Sequence, residues 1–170
     1  MATYVMSDLH GQYDMFIKMI EKIKFNEQDN MYILGDVIDR GPAGIKIIDY
    51  IRSSENIHLL RGNHEQMLVE YFMTDIEYES WADAPWFENG GYTTYLELKE
   101  KGAEYLCDLI KYILKLPTYK IIDNYFLVHA GLNTNKEITS LEEAIKNSSE
   151  ETLLWCRDFI INDHKIEGYT

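Results

Sequence analysis

Three short apolar runs near the start of the chain each lead into a cluster of polar, chemistry-bearing side chains. The runs are ATYVM (residues 2–6), MYILGD (31–36) and NIHLLRGN (56–63). Each has the length and apolar character of a strand, and ATYVM reads as a buried one. Between the first two, Phe16, Met19, Ile20 and Ile23 fall at helical spacing, which predicts a helix over 13–24. Pro42 stands where helices often begin, and Ile45, Ile48 and Ile51 give the next helix an apolar face. HEQMLVEYFM continues the third run as a helix. Strand, helix and strand in alternation predict a parallel α/β core. Asp8 and His10 then follow the first strand, Asp36, Asp39 and Arg40 the second, and Arg61, Asn63, His64 and Glu65 the third. All lie just past carboxyl ends of strands, the edge where open α/β sheets gather ligand sites.

The rhythm breaks at 75–92, rich in aromatics and acids and ending in a Gly-Gly turn. Tyr71, Phe72, Tyr78, Trp81, Trp86, Phe87 and Tyr92 read equally as the wall of a cleft or as packing of an irregular segment. Helical stretches follow at 92–100 and 102–115, then TYKIIDNYFLVHAG (118–131), a hairpin with Asp123-Asn124 at its turn and His129 at its end. Ser140 and Glu143 form a capping box for a helix over 141–147, and another helical piece covers 150–158.

Bulk properties narrow the classes. A chain of 170 residues fits one domain and can bury enough surface to fold without a disulfide or structural zinc. Sixteen basic residues against 29 acidic ones, a net charge of -13, argue against nucleic acid or an anionic membrane surface as partner. Cys107 and Cys156 lack metal-ligand spacing and read as reduced thiols. No apolar run approaches the roughly 18 residues of a membrane span, and no signal peptide precedes the first strand. The expectation is a cytoplasmic protein.

Each cluster has a plainer reading by itself. Asp8-x-His10 could be a polar turn, GDVIDRG an ordinary strand-to-helix turn, and Asn63 a cap for the following helix. Three such clusters in order at strand ends make coincidence a poor account. SDLHG, GDVIDRG, RGNHE and VHAG resemble the calcineurin-like metallophosphoesterases, and within them the phosphoprotein phosphatases. RGNHEQM and LLWCRD look most like the bacterial and bacteriophage serine/threonine protein phosphatases, and the resemblance runs from about residue 3 to 160.

That resemblance implies an α/β sandwich of two mixed β-sheets flanked by helices. It implies that Asp8, His10 and Asp36 bind a first metal, and that Asp36 bridges to a second held also by Asn63 and His129. His64 matches the acid that protonates the leaving oxygen, Asp39 its orienting partner, and Arg40 and Arg157 the phosphate-holding guanidinium groups. The residue types suit these roles. One carboxylate can bridge two cations, and two metals can clamp an in-line displacement while acidifying the attacking water. Carboxylate, amide and imidazole ligands suit manganese first, with iron or zinc as alternatives. A carboxylate beside His64 favours its protonated form, and arginine grips phosphate in two-pronged fashion. His58, at the start of the third strand, reads as structural, and Glu65 as a supporting or helix N-terminal carboxylate.

One element of the family pattern is missing: no Gly-His-Thr segment follows WCRD, and the chain ends at INDHKIEGYT. The expectation is a single metallophosphoesterase domain over 1–170 that lacks its final strands, with His164 a weak substitute ligand. An unpaired sheet edge would then favour self-association. The expected activity is hydrolysis of phosphomonoesters, foremost phosphoserine or phosphothreonine in proteins, or else a small phosphoester. The alternatives are a dinucleoside polyphosphate hydrolase and a non-catalytic metal-binding remnant.

Overall fold

The computed structural model describes residues 1–74, 83–133, 140–158, 166 and 168–169. These fall into two compact units, Met1–Leu116 and Pro117–Thr170. His164 lies outside the described residues.

The first unit opens with β1 (Thr3–Met6), α1 (Tyr13–Ile23), β2 (Asn30–Ile33), α2 (Gly44–Arg52), β3 (Ile57–Leu59) and α3 (Asn63–Met73). The short α4 (Pro85–Glu88) and the helices α5 (Tyr92–Lys101) and α6 (Ala103–Ile113) complete it. The three strands form one parallel sheet in the order β1-β2-β3. Met6 is in register with Ile33, and Ile33 with Leu59, so the strands end level. Everything that follows them emerges along one edge, which is how three distant motifs come to be neighbours.

The central strand is the most deeply packed, with Met31 and Ile33 wholly buried. Ile45, Ile48 and Ile51 of α2 form the face expected from their spacing, joined by Phe16, by Met67 and Leu68 of α3, and by Leu109 and Ile113 of α6. Strand β1 departs from expectation. Among the described residues it pairs with β2 alone, as an edge strand, and Val5 is 48% exposed. The strands are also shorter than their apolar runs. After Ile33 the backbone turns left-handed at Gly35 (φ 88°) and Asp36 (φ 56°), which takes those residues out of the pleat.

Two helix starts are set by distant side chains. Helix α2 begins at Gly44, two residues past Pro42, and the Gly44 and Ile45 N–H groups donate to the Glu97 carboxylate of α5. Burial pushes the Glu97 carboxyl up, and these N–H bonds oppose the shift. Helix α3 is capped at Gly62 rather than Asn63, and the Gly62 N–H donates to Glu65 one turn on.

The second unit contains the hairpin β4 (Tyr119–Ile122) and β5 (Tyr125–Val128), then α7 (Leu141–Lys146) and α8 (Glu150–Trp155). Its strands pair antiparallel around the expected turn, where Asp123 takes φ 51°. Ser140 accepts the Glu143 N–H, as the capping pattern predicts. Leu132, Leu141, Ala144, Leu153 and Ile166 form a separate small core. Parallel and antiparallel sheets flanked by helices are thus both present. No helix among the described residues is long and apolar enough to cross a membrane.

Candidate metal centre

The loops leaving β1 and β2 are laced together through their backbones. The Asp8 N–H donates to Gly35 O at 3.3 Å, His10 N–H to Asp36 O at 2.9 Å and Gly11 N–H to Val37 O at 2.8 Å. Gly35 and Gly62 let the second and third loops touch: a Cβ on Gly62 would run into the Asp36 carboxylate and backbone. Asp8, His10, Asp36, Asp39 and Arg40 all adopt positive φ, between 40° and 68°. A left-handed residue that is not glycine costs about 1–2 kcal/mol, and such strain collects where surrounding structure imposes a geometry.

Glu65 is the clasp. Fully buried, it accepts the Asp36 N–H at 2.8 Å and the Gly62 N–H at 2.9 Å through Oε2, and the Val37 N–H at 2.9 Å through Oε1. Burial, reinforced by the Asp36 charge, pushes its carboxyl up to about 7, against the pull of the three N–H bonds. The supporting role expected for Glu65 is its position here: it ties the second loop to the third.

Asp36 is buried, and its Oδ1 accepts the His64 N–H at 3.1 Å. The Asp36 Oδ2 lies 3.7 Å from His10 Nε2 and 3.8 Å from His64 Nε2. His10, Asp36 and His64 each offer a ligand atom within 4.8 Å of the others, a group that could hold a metal ion. Asp8 is more open, with 58% of its side chain exposed; its Oδ1 is 3.9 Å from His10 Nε2 and its Oδ2 accepts the Ser7 hydroxyl. His10 Nδ1–H donates to the Ile38 carbonyl at 3.0 Å. A carbonyl can only accept, so Nδ1 carries a proton and Nε2 is the nitrogen that faces the carboxylates.

His64 Nδ1–H donates to Asp39 Oδ2 at 2.7 Å, both side chains being essentially inaccessible. Burial alone would lower the pKa of His64, but the Asp39 bond and the charges of Asp36 and Asp39 outweigh it, and the net shift is upward. Arg40, exposed, donates through Nη1 to His10 Nε2 at 2.7 Å and through Nη2 to His64 Nε2 at 3.1 Å. Those bonds need lone pairs on both rings. Protonation of His64 at Nε2 therefore requires that arm of Arg40 to withdraw.

The turn carrying Asp39 and Arg40 is held by contacts the sequence did not signal. Asp39 N–H donates to Thr94 Oγ1 at 2.9 Å, Arg40 N–H to Gly90 O at 3.0 Å, and the Trp86 indole N–H to Asp39 Oδ2 at 2.9 Å. Trp86 is buried with Tyr71, Phe72 and Phe87 around it, so these four aromatics pack into the core. Tyr92 is 48% exposed, and Tyr78 and Trp81 lie outside the described residues.

A family model described as calcineurin-like phosphoesterase matches residues 1–168. The chain belongs to the calcineurin-like phosphoesterase family. A symmetrical bis(5'-nucleosyl)-tetraphosphatase from Salmonella arizonae is 35% identical over 74 residues, 42% of this chain and 26% of that protein. The match therefore spans about a quarter of the length of this curated relative. A putative diadenosine tetraphosphatase superposes with a TM-score of 0.60 at 16% identity, over 89% of this chain and 61% of that one. A protein serine/threonine phosphatase from Saccharomyces cerevisiae, with similarity to human phosphatase PP5, gives 0.58 at 22% identity, over 91% and 51%. At such identities the two structures speak for the fold.

Calcineurin-like phosphoesterases use divalent metals, and the residues of the first unit fit one. His10 offers an imidazole lone pair and Asp8 and Asp36 offer carboxylate oxygens, a donor set of hard and intermediate character. Asn63 opens α3, half-buried, immediately before His64. His58 pairs with Tyr32 across β2 and β3, its ring tilted against that tyrosine at 4.8 Å, and takes no part in the cluster. His129 and Arg157 belong to the second unit: His129 directly follows β5, half-buried, and Arg157 lies exposed just beyond α8.

Proposed function

We propose that this phosphoesterase hydrolyses phosphomonoesters, with phosphoserine or phosphothreonine in proteins as its substrate class. The observation carrying the reading is the buried His64–Asp39 pair, joined at 2.7 Å. Asp8, His10 and Asp36 would hold a divalent ion, manganese before iron or zinc, and Asn63 would be a further metal ligand by the family resemblance. Such ions supply charge neutralisation and an acidified water when bound. The chain's own residues do the rest. Arg40 holds phosphate oxygens, and letting go of His64 Nε2 to do so frees that nitrogen to carry a proton. Asp39 keeps the ring in the tautomer that delivers it from Nε2. Arg157 as a second phosphate ligand and His129 as a metal ligand rest on the family resemblance.

The acid pair bears on the substrate. An alkoxide leaving from phosphoserine must be protonated as it departs, whereas a nucleotide departs as a phosphate anion and needs little help. A buried, carboxylate-oriented histidine therefore suits the alkoxide. The second reading, hydrolysis of dinucleoside tetraphosphates, is favoured by the sequence likeness to a tetraphosphatase. Parallel turnover of a phosphoserine peptide and diadenosine tetraphosphate, with manganese, separates them. Faster turnover of the dinucleotide overturns the preferred substrate, and turnover of neither leaves a metal-binding remnant. His64→Asn should slow the phosphopeptide by about 10²–10⁴-fold and an activated aryl phosphate far less. Equal losses on both would remove His64 from the acid role.

A further inference from the structure

The stretch Trp86–Thr94 is absent from the metal cluster, yet three of its members grip the one turn that carries Asp39 and Arg40. We infer that Trp86 is a positioning residue for the leaving-group acid, fixing the Asp39 carboxylate that aims His64. This rests on the acid role proposed above for His64.

The geometry is specific. Asp39 Oδ2 accepts two hydrogen bonds, from His64 Nδ1 at 2.7 Å and from Trp86 Nε1 at 2.9 Å. Among the described residues, its buried Oδ1 accepts none. The carboxylate is thus held by one oxygen from two directions, and rotating it about Cβ–Cγ would break both bonds together. With Asp39 fixed, the His64 ring is fixed, and Nε2 stays on the Asp36 side, 3.8 Å from that carboxylate.

Indole suits this task on chemical grounds. It is a donor only and does not titrate. It can therefore hold a buried carboxylate without adding charge, competing for the His64 proton or taking one from Asp39. The ring itself is immobilised. Tyr71, Phe72 and Phe87 pack around it with centroids 5.3, 5.7 and 5.1 Å away, and a Cβ on Gly91 would lie 2.5 Å from it. Thr94 and Gly90 complete the grip by accepting the Asp39 and Arg40 N–H groups, where both residues are left-handed.

The test compares leaving groups. Trp86→Phe keeps an aromatic ring and loses the donor. Hydrolysis of an alkyl phosphate or phosphopeptide should fall about 10–100-fold, as expected for losing a hydrogen bond to a charged group. Hydrolysis of an aryl phosphate with a good leaving group should fall by less than about 3-fold, since that step needs little acid. In a His64→Asn background the same substitution should add nothing. Equal losses on both substrates, or additivity with His64→Asn, would overturn the proposal. If His64→Asn itself shows no dependence on the leaving group, the acid reading has failed instead, and the two failures are distinguishable.

A second readout needs neither metal nor turnover. In the metal-free chain the Trp86 indole proton should exchange far more slowly than that of the exposed Trp155, and its NMR resonance should move in Asp39→Ala. Exchange as fast as that of Trp155, or a resonance indifferent to Asp39→Ala, would overturn the assignment even if Trp86→Phe fails to fold.

Discussion

Asp36 and His129 are both proposed to hold metal, yet they stand on different supports. Asp36 leaves the central strand of a parallel sheet, and its backbone and carboxylate are tied to Glu65 and His64 in the first turn of α3. Beneath it lies a core drawn from β2, β3, α1, α2, α3 and α6. His129 leaves a two-stranded hairpin whose Tyr119, Ile121 and Tyr125 are exposed, and the described core of its unit is Leu132, Leu141, Ala144, Leu153 and Ile166. The difference is one of preorganisation. In the first unit the fold has already met the cost of left-handed backbone and buried charge, so ligand atoms wait in place. In the second, the described residues form a smaller core beneath fewer fixed contacts.

Core truncation should expose this contrast most strongly. Ile48→Ala, in a wholly buried position of α2, should destabilise by about 2–5 kcal/mol in urea unfolding. Leu153→Ala, in the smaller core, should sit near the lower end, about 2 kcal/mol, because thin packing collapses more easily around a cavity. Equal costs would break the comparison. Gly62→Ala sharpens it at the site itself. The new Cβ meets the Asp36 carboxylate, so the loops must part, at about 1–3 kcal/mol. Manganese affinity should fall with stability, and a variant that bound manganese normally would show that the close approach of the loops is dispensable. The smallest effect belongs to the second unit: Ser140→Ala removes the cap of α7 and should cost about 1 kcal/mol. Circular dichroism should register it without any change in metal binding.

What could be read from the sequence follows the range of the interaction. That Asp8, His10, Asp36 and His64 would stand together was legible because strand ends in a parallel sheet are levelled by register, and apolar runs announce strands. The turn at Asp123 and the cap at Ser140 were legible because they are local. The early end of β2 was not, since left-handed backbone at Asp36 is imposed by neighbouring loops rather than by residue type. Nor was the hold on Asp39. Its partners Trp86 and Thr94 lie 47 and 55 positions away, and nothing in PWFENGGYTT distinguishes an indole that packs from one that packs and also donates. Cap positions shifted for the same reason, with α2 taking its acceptor from Glu97 of α5.

The first unit is proposed to carry a metal-binding core built around Asp36. Calorimetric titration of manganese into the wild-type chain, Asp36→Asn and His129→Asn tests it directly. Asp36→Asn should abolish binding, because the shared carboxylate charge is lost while the neighbouring loops keep their bonds. His129→Asn should keep the tight event and lose only a weaker one. Wild-type affinity in Asp36→Asn, or loss of all binding in His129→Asn, would contradict the account.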